Sequence, residues 1–432
     1  MTAKGLPGFR DFPPEDFALR AHIFKVWRGV AARYGFEEYD GPPLEPLDLY
    51  TAKSGGEIVG QLYNFVDKGD RQVALRPEMT PTLARMVAAR ANGLKKPIRW
   101  FSIPQLFRYE RQQRGRLREH FQLNCDLIGE AGPLADAEII ALSIDLMRGF
   151  GLGPQDVRVR VSDRRVVTSA IVAITDLPEL TPVVLQAIDR MEKDRGGAEA
   201  LLAKHLEPRL ISQVFALMEP LTHNISAETP LGQTLLALEG MGLRDWVDVD
   251  LKIVRGLAYY TGTVFELFDA KRTLRAICGG GRYDTLLESL GGADLPAVGF
   301  GMGDVVLGEL LKDRGLHPVP PPSIDVFVAS VTPDDVPHVL RVSHELRNAG
   351  VRVEYAMNAN ALGKQLNLAN TRGARFAIVI GPDDRARGEV QVKDLVTKIQ
   401  YPVPVIGLSA HVGEALSATP TTHDSRLATP NG

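Results

Sequence analysis

Ile23, Trp27, Val30 and Tyr34 recur at steps of four, three and four, so a helix over Phe17 to Tyr34 presents one apolar stripe, with Gly35 as its stop. The stretch "TPTLARMVAARANG" predicts a second helix, with Pro81 near its first position and Gly93 closing it. Between Lys96 and Gly129 the pattern shortens to strands. In "REHFQLNCDLIG", Phe121, Leu123, Cys125 and Leu127 fall on one face, and His120, Gln122, Asn124 and Asp126 on the other. From about 177 to 242 the texture is helical, as in "PVVLQAIDRMEK" and "RLISQVFALM", an insertion between two sheet-forming stretches. Strand character returns in "LKIVRGLAYYTGTVFELF", "AICGGGRYDTLL" and "AVGFGMGDVVL".

Four prolines between Pro318 and Pro322 mark a stiff linker. Beyond it, strands "IDVFVAS", "VRVEYAM", "ARFAIVIG" and "EVQVKDL" alternate with helices around "VPHVLRVSHELRNAG" and "ALGKQLNLANTRG", which predicts a small α/β domain with a largely parallel sheet. The expected organisation is an α/β multidomain chain: 1–320 with its helical insertion, the linker's end at 321–323, a domain over 324–410, and a mobile tail over 411–432.

Composition narrows the function classes. No run approaches eighteen apolar residues, which argues against a membrane span, and the amino terminus lacks a secretory signal's apolar core. Cys125 and Cys278 have no paired spacing, so a structural zinc site is not expected and a cytoplasmic location is. A net charge of −3 neither requires nor excludes a nucleic-acid partner, which would need only local basic patches. "GFGMGDVV" begins like a dinucleotide fingerprint, but Asp304 stands where its third glycine belongs. No P-loop, H-E-x-x-H or nucleophile elbow is present.

The densest chemistry lies in "FRYERQQRGRLREHFQ", Phe107 to Gln122, where five arginines surround Gly115. If the flanking segments form a hairpin, Arg108 and Glu110 meet the polar face of the next strand. Arg111, Arg114, Arg116 and Arg118 in the loop repel one another unless an anion is held, and guanidinium forks suit phosphate oxygens. Taken alone, the polar face could also be the wet side of an antiparallel sheet. Likewise "RPEMT" could be a helix cap, and the tyrosines of "VRGLAYYTGTVFE" could be core residues.

Together these stretches resemble the histidyl-tRNA synthetase family of class II aminoacyl-tRNA synthetases, from "LPGFRDFPP" to "GEVQVKDL". "GFEEYDGPPLE" resembles motif 1, with Pro42 as its proline; "FRYERQQRGRLREHFQ" resembles motif 2; "RPEMT" and "VRGLAYYTGTVFE" resemble the two histidine signatures. The resemblance implies an antiparallel class II sheet with flanking helices, a homodimer built on motif 1, and an anticodon-binding C-terminal domain. It implies that ATP, with Mg²⁺, activates histidine to histidyl-adenylate for transfer to histidine tRNA. Arg108 and Arg255 are the implied catalytic cations at the α-phosphate. Glu110 would take the adenine amino group, Arg116 the terminal phosphates, and His120 the adenine ring. Glu78, Met79, Thr80, Arg108, Gln122, Asp126, Arg255, Tyr259 and Tyr260 would surround the histidine substrate, and no metal site is implied by a protein motif. Lys364 and Arg372 are candidates for tRNA contacts and could equally be ordinary surface charge.

The chain departs from the family pattern at three places. Val305 and Val306 stand where motif 3 has glutamate and an ATP-contacting arginine. Ala258 replaces a common aspartate, and His120 stands where another ring usually stacks on adenine. A rebuilt active synthetase is one reading. A catalytically silent paralogue, such as the regulatory subunit of ATP phosphoribosyltransferase, is a second, and a tRNA-binding sensor a third.

Overall fold

The computed structural model describes residues 4–51, 60–91, 93–110, 115–191, 194–218, 225–253, 260–289, 293–319, 322–358 and 360–418. The chain divides into two compact units, Met1–Pro318 and Val319–Gly432.

The first unit opens with the helix Pro14–Arg33, whose stripe buries Ile23, Trp27, Val30 and Ala31. Gly35, at φ +73°, turns the chain out of it. β1 (Glu37–Glu38) follows, and then β2 (Leu44–Pro46), β3 (Tyr63–Val66) and β4 (Gln72–Leu75) form a small antiparallel sheet in the order β2-β4-β3. The large sheet adds β5 (Ile98–Ser102), β6 (Gln105–Phe107), β7 (Glu119–Ile128), β8 (Val157–Asp163), β9 (Val247–Val249), β10 (Thr263–Asp269), β11 (Cys278–Arg282) and β12 (Ala297–Gly303). Its order is β1-β5-β7-β12-β11-β10-β8-β9, with β6 paired to β7 off that path. Every pair from β5 across to β8 is antiparallel, while β1 and β9 join the two ends in parallel.

One face of this sheet is dry. Leu123, Cys125 and Leu127 of β7 pack in a single core with Trp27 of the first helix and with Ile140, Ile144 and Met147 of the helix Pro133–Gly149. Period-2 alternation then directs the other residues of β7 to the opposite face. The expected class II sheet with flanking helices is the observed fold.

The helical insertion has different limits from those expected. Its separate core starts with Val167 and Ile171 of the helix Arg164–Thr175, runs through Val184, Ile188, Leu202, Val214 and Met218, and also takes Leu251. The helix Pro230–Gly240, placed in the insertion by its texture, instead buries Leu231, Leu235 and Leu238 in the main core. Both helices have apolar residues at helical spacing, and that spacing does not say which core they meet.

In the second unit the sheet order is β14-β13-β15-β16-β17, with β13 (Val326–Ser330), β14 (Val353–Tyr355), β15 (Phe376–Ile380), β16 (Glu389–Asp394) and β17 (Gln400–Pro404). β13 pairs in parallel with β14 and β15, whereas β15–β16 and β16–β17 are antiparallel, so the sheet is mixed rather than largely parallel. The expected tail from 411 is also corrected. The helix Leu408–Ala418 belongs to this unit, with Leu408 and Val412 buried at one-turn spacing in its core. Residues 419–432 lie outside the described ones.

Candidate active site

The polar face of β7 is not a wet surface. Asn124 and Asp126 are only 7% and 4% exposed. What faces them is a floor without side chains. Directly opposed residues of an antiparallel pair share a face, and the register sets Asp126 against Gly299, Asn124 against Gly301 and Gln122 against Gly303. One strand further, Gly299 opposes Gly281 and Gly301 opposes Gly279. The carboxamide and carboxylate of β7 lean over this floor: a β-carbon added at Gly301 would come within 2.7 Å of Gln122 Nε2, and one at Gly299 would overlap Asp126 Oδ1. The glycine runs "CGGGR" and "GFGMG" thus open a slot on the face opposite the helices.

Around the slot stand acids and phenols. The Tyr283 hydroxyl donates to Asp126 Oδ1. Tyr260 packs beside Gly281, and its phenol is held above its ordinary range by burial first and by the nearby Asp126 and Glu78 carboxylates second. Tyr39, pushed up by burial and then by Asp126, approaches from the motif 1 segment. Burial raises the Asp126 carboxyl to about 7, opposed by the Tyr283 hydrogen bond.

A raised carboxyl favours the folded state while protonated. Asp126's contribution is therefore complete below the unfolded value near 3.8 and is lost as pH rises towards about 7. Measured against Asp126→Asn, the parent's stability is expected to fall between about pH 4 and 7 by at most about 1.4 kcal/mol per unit, then to level off. Urea melts of both proteins across that range check this; a constant difference contradicts it.

The hairpin is formed: Gln105, Leu106 and Phe107 of β6 pair with Phe121, His120 and Glu119, and the Arg108 amide donates to the Arg118 carbonyl at 3.0 Å. Arg108 Nε is anchored on the Pro77 carbonyl at 2.9 Å, next to Glu78, which ties "RPEMT" to the loop. Arg76 is buried and structural, donating to Asp40 Oδ1 at 2.8 Å and to the Gly41 and Gln105 carbonyls at 2.7 and 3.1 Å. The helix Thr80–Ala88 takes Met79 as its N-cap with no side-chain capping bond, so neither Glu78 nor Thr80 serves as a cap.

His120 is held neutral. Burial and then the Arg108 and Arg10 guanidiniums drive its pKa down to about 3, so the ring does not titrate near neutrality. Arg10 itself is clamped by two carboxylates, Glu119 at 2.6 Å and Asp304 at 2.9 Å. Asp304, in the broken dinucleotide pattern, also accepts the Phe121 amide at 2.9 Å. Glu110 is buried and Arg116 exposed, with Arg116 Nε 2.5 Å from Glu110 Oε2. Their proposed roles at opposite ends of ATP require that ion pair to open. Arg111, Arg114, Arg255, Ala258 and Tyr259 lie outside the described residues.

A motif 2 hairpin beside an antiparallel, glycine-floored sheet can be compared with known proteins. The histidyl-tRNA synthetase family matches residues 8–303, and an anticodon-binding domain family matches residues 325–414. The chain belongs to the histidyl-tRNA synthetase family. A similar protein from Opitutus terrae, named histidine–tRNA ligase, is 45% identical over 96% of this chain and 99% of its own. The solved histidyl-tRNA synthetase of Nostoc sp. PCC 7120 superposes with a TM-score of 0.77 at 25% identity, covering 96% of this chain and all of that one. A Bacillus halodurans structure, titled an ATP phosphoribosyltransferase regulatory subunit/histidyl-tRNA synthetase, shares the fold with a TM-score of 0.73 at 21% identity, over 88% of this chain and 98% of its own.

Within that family frame, several residues around the slot escaped sequence reasoning. Tyr283 and the glycines opposite β7 were visible as "GGGRYD" and "GFGMG", but only the register shows which of them face Asp126. Arg10 was present in "GFRDF" without a partner to suggest its use. In the second unit, Arg372 pairs with Glu354 at 3.2 Å and Lys364 is exposed.

A separate cleft of about 1080 Å³ is lined by Arg158, Arg160, Leu235, Arg244, Asp248 and Asp250. Arg158 and Arg160 pair with Asp248 and Asp250, and the lining's other two arginines, Arg244 and Arg272, are offset by Glu239 and Asp245, so no excess positive charge is offered there.

Proposed function

We propose that the chain is a histidine–tRNA ligase that uses ATP to form histidyl-adenylate, releases pyrophosphate, and passes histidine to the 3′ end of histidine tRNA. The observation that carries this is the glycine-floored slot, with the Asp126, Glu78 and Tyr260 groups at one side and Arg108 anchored beside Glu78. The relatives named histidine–tRNA ligase across nearly the whole chain support it.

The attacking carboxylate of histidine is already ionised, so the step needs no general base. It needs positive charge at the α-phosphate, where charge accumulates in the transition state. Arg108 supplies it from the hairpin, and Arg255 supplies a second cation. Glu110 accepts from the adenine amino group, neutral His120 stacks on the ring, and Arg116 reaches the terminal phosphates. Glu78, Met79, Thr80, Gln122, Asp126, Tyr259 and Tyr260 enclose histidine; the carboxylates take its ammonium, and polar groups left unpaired by other side chains reject them. Mg²⁺ enters as part of the ATP complex.

Histidine-dependent ATP–pyrophosphate exchange followed by charging of histidine tRNA tests this reading. Absence of both activities, with capture of a phosphoribosyltransferase catalytic chain, would establish the regulatory paralogue instead. The anticodon-binding match over 325–414 favours the ligase. The same preparation should sediment as two chains: Leu44 of the motif 1 segment and Phe65 and Val66 of the neighbouring β3 are exposed in the single chain, and a homodimer through this region would cover them. The expected location is the cytoplasm. No helix among the described residues is long and apolar enough to cross a membrane.

A further inference from the structure

In the ligase reading, Arg108, Glu110 and His120 address the α-phosphate and adenine, so the hairpin that carries them has to hold one geometry as ATP binds. We infer that the amino-terminal arm, residues 8–12, sets that geometry, with Arg10 as the positioning residue. The inference rests on the ligase reading.

The arm grips the returning limb of the hairpin. The Arg118 carbonyl accepts from the Arg108 amide, and the Arg118 amide donates to the Gly8 carbonyl, each at 3.0 Å. The Arg118 side chain lies over the Tyr109 ring at 4.1 Å and donates to the Glu110 carbonyl at 3.4 Å. Phe9 packs beside Phe107 and Tyr63, its ring centroid 6.3 and 6.0 Å from theirs.

Arg10 then fixes the start of β7. Its Nε donates to Glu119 Oε1 at 2.6 Å and its Nη1 to Asp304 Oδ2 at 2.9 Å, and both carboxylates are buried. Each carboxylate has a second tie. Glu119 Oε2 accepts from Gln105 Nε2 of β6 at 3.0 Å, and Asp304 Oδ1 accepts from the Phe121 amide of β7 at 2.9 Å. Asp304 opens the helix Asp304–Asp313, two residues before Val306. One guanidinium thus joins the arm, both strands of the hairpin and the motif 3 helix. Glu119 shares the dry face of β7 with Phe121 and Leu123, so Arg10 works from behind the slot and not on the substrate.

Such a cluster is better suited to fixing geometry than to adding stability. A buried ion pair contributes little beyond an apolar replacement of the same volume, whereas a planar fork spanning two carboxylates selects one arrangement. Val305 and Val306 bring no charge to ATP from the motif 3 helix, so more of the grip on ATP falls to the hairpin.

Full-length variants are compared by ATP–pyrophosphate exchange below their melting temperatures. Arg10→Ala should raise KM for ATP by about tenfold or more, with KM for histidine within about twofold of the parent. Inhibition by AMP should weaken in step, because Glu110 and His120 address the adenine that both nucleotides carry. Arg10→Lys keeps the charge and loses the fork, so it decides the matter even if the alanine variant fails to fold. Its His120 ring should titrate as in the parent, while its KM for ATP should still rise by about threefold or more, a change of position and not of charge. A KM for ATP within about twofold of the parent in Arg10→Lys, parental AMP inhibition, or an equal rise in KM for histidine overturns the assignment and leaves the ligase reading standing. A parent chain without exchange overturns the ligase reading itself, and this assignment with it.

Discussion

Arg108→Ala is expected to lower the rate of histidine-dependent ATP–pyrophosphate exchange by about 10²–10³, the scale for removing one preorganised transition-state donor. The side chain is half-buried, and Nε is fixed on the Pro77 carbonyl, so the guanidinium is oriented before substrate arrives. A preorganised cation acts mainly on kcat, since the charge it opposes develops only at the transition state. The melting temperature should move little, because one hydrogen bond to a carbonyl contributes only about 1 kcal/mol. The same variant removes one of the two guanidiniums that bear on His120, so the imidazole pKa should rise from about 3, with burial still holding it below its ordinary value. Following the His120 ring signals by NMR across pH separates this effect from catalysis. A kcat within about tenfold of the parent would remove Arg108 from the chemistry.

How far the sequence revealed this arrangement depends on what each pattern encodes. The alternation in "REHFQLNCDLIG" assigned the two faces of β7 correctly, because a strand's period is 2 whatever covers it. It could not say whether the polar face was wet; that follows from the register with β12 and from the approach of Tyr39, Tyr260 and Tyr283, all remote in sequence. The arginine-rich hairpin was legible from charge density alone. Tyr283 was not, since a single tyrosine after a glycine run has no distinguishing pattern until the strand pairing brings its hydroxyl to Asp126. The helix Leu408–Ala418 was missed for a similar reason. Its apolar positions Leu408, Val412 and Leu416 lie one turn apart, but they precede the polar, proline-containing "TPTTHDSRLATPNG", whose composition suggested a longer tail. The insertion's limits were misplaced because the helix Pro230–Gly240 is as helical and apolar in sequence as its neighbours but buries its leucines in the other core.

The glycine floor makes the second large prediction. At Gly299 a methyl group would overlap Asp126 Oδ1 and come within 2.7 Å of the Cys125 carbonyl oxygen. The carboxylate could swing away, but only by breaking its hydrogen bond from Tyr283; the carbonyl belongs to the β7 backbone and cannot yield without distorting the strand. Gly299→Ala should therefore destabilise the fold by about 1–3 kcal/mol, the usual range for overpacking. It should also abolish exchange even where the protein remains folded. Gly301→Ala separates the two effects. The nearest atoms to its added methyl all belong to the Gln122 side chain, starting at 2.7 Å, and a flexible carboxamide can move aside. That variant should melt within about 1 kcal/mol of the parent while raising KM for histidine, since Gln122 is displaced from the slot. If both variants exchanged at parental rates, the substrates could not lie across this floor. If instead Gly301→Ala lost stability as Gly299→Ala does, the glycines would be there for strand packing, and the open slot would be its by-product.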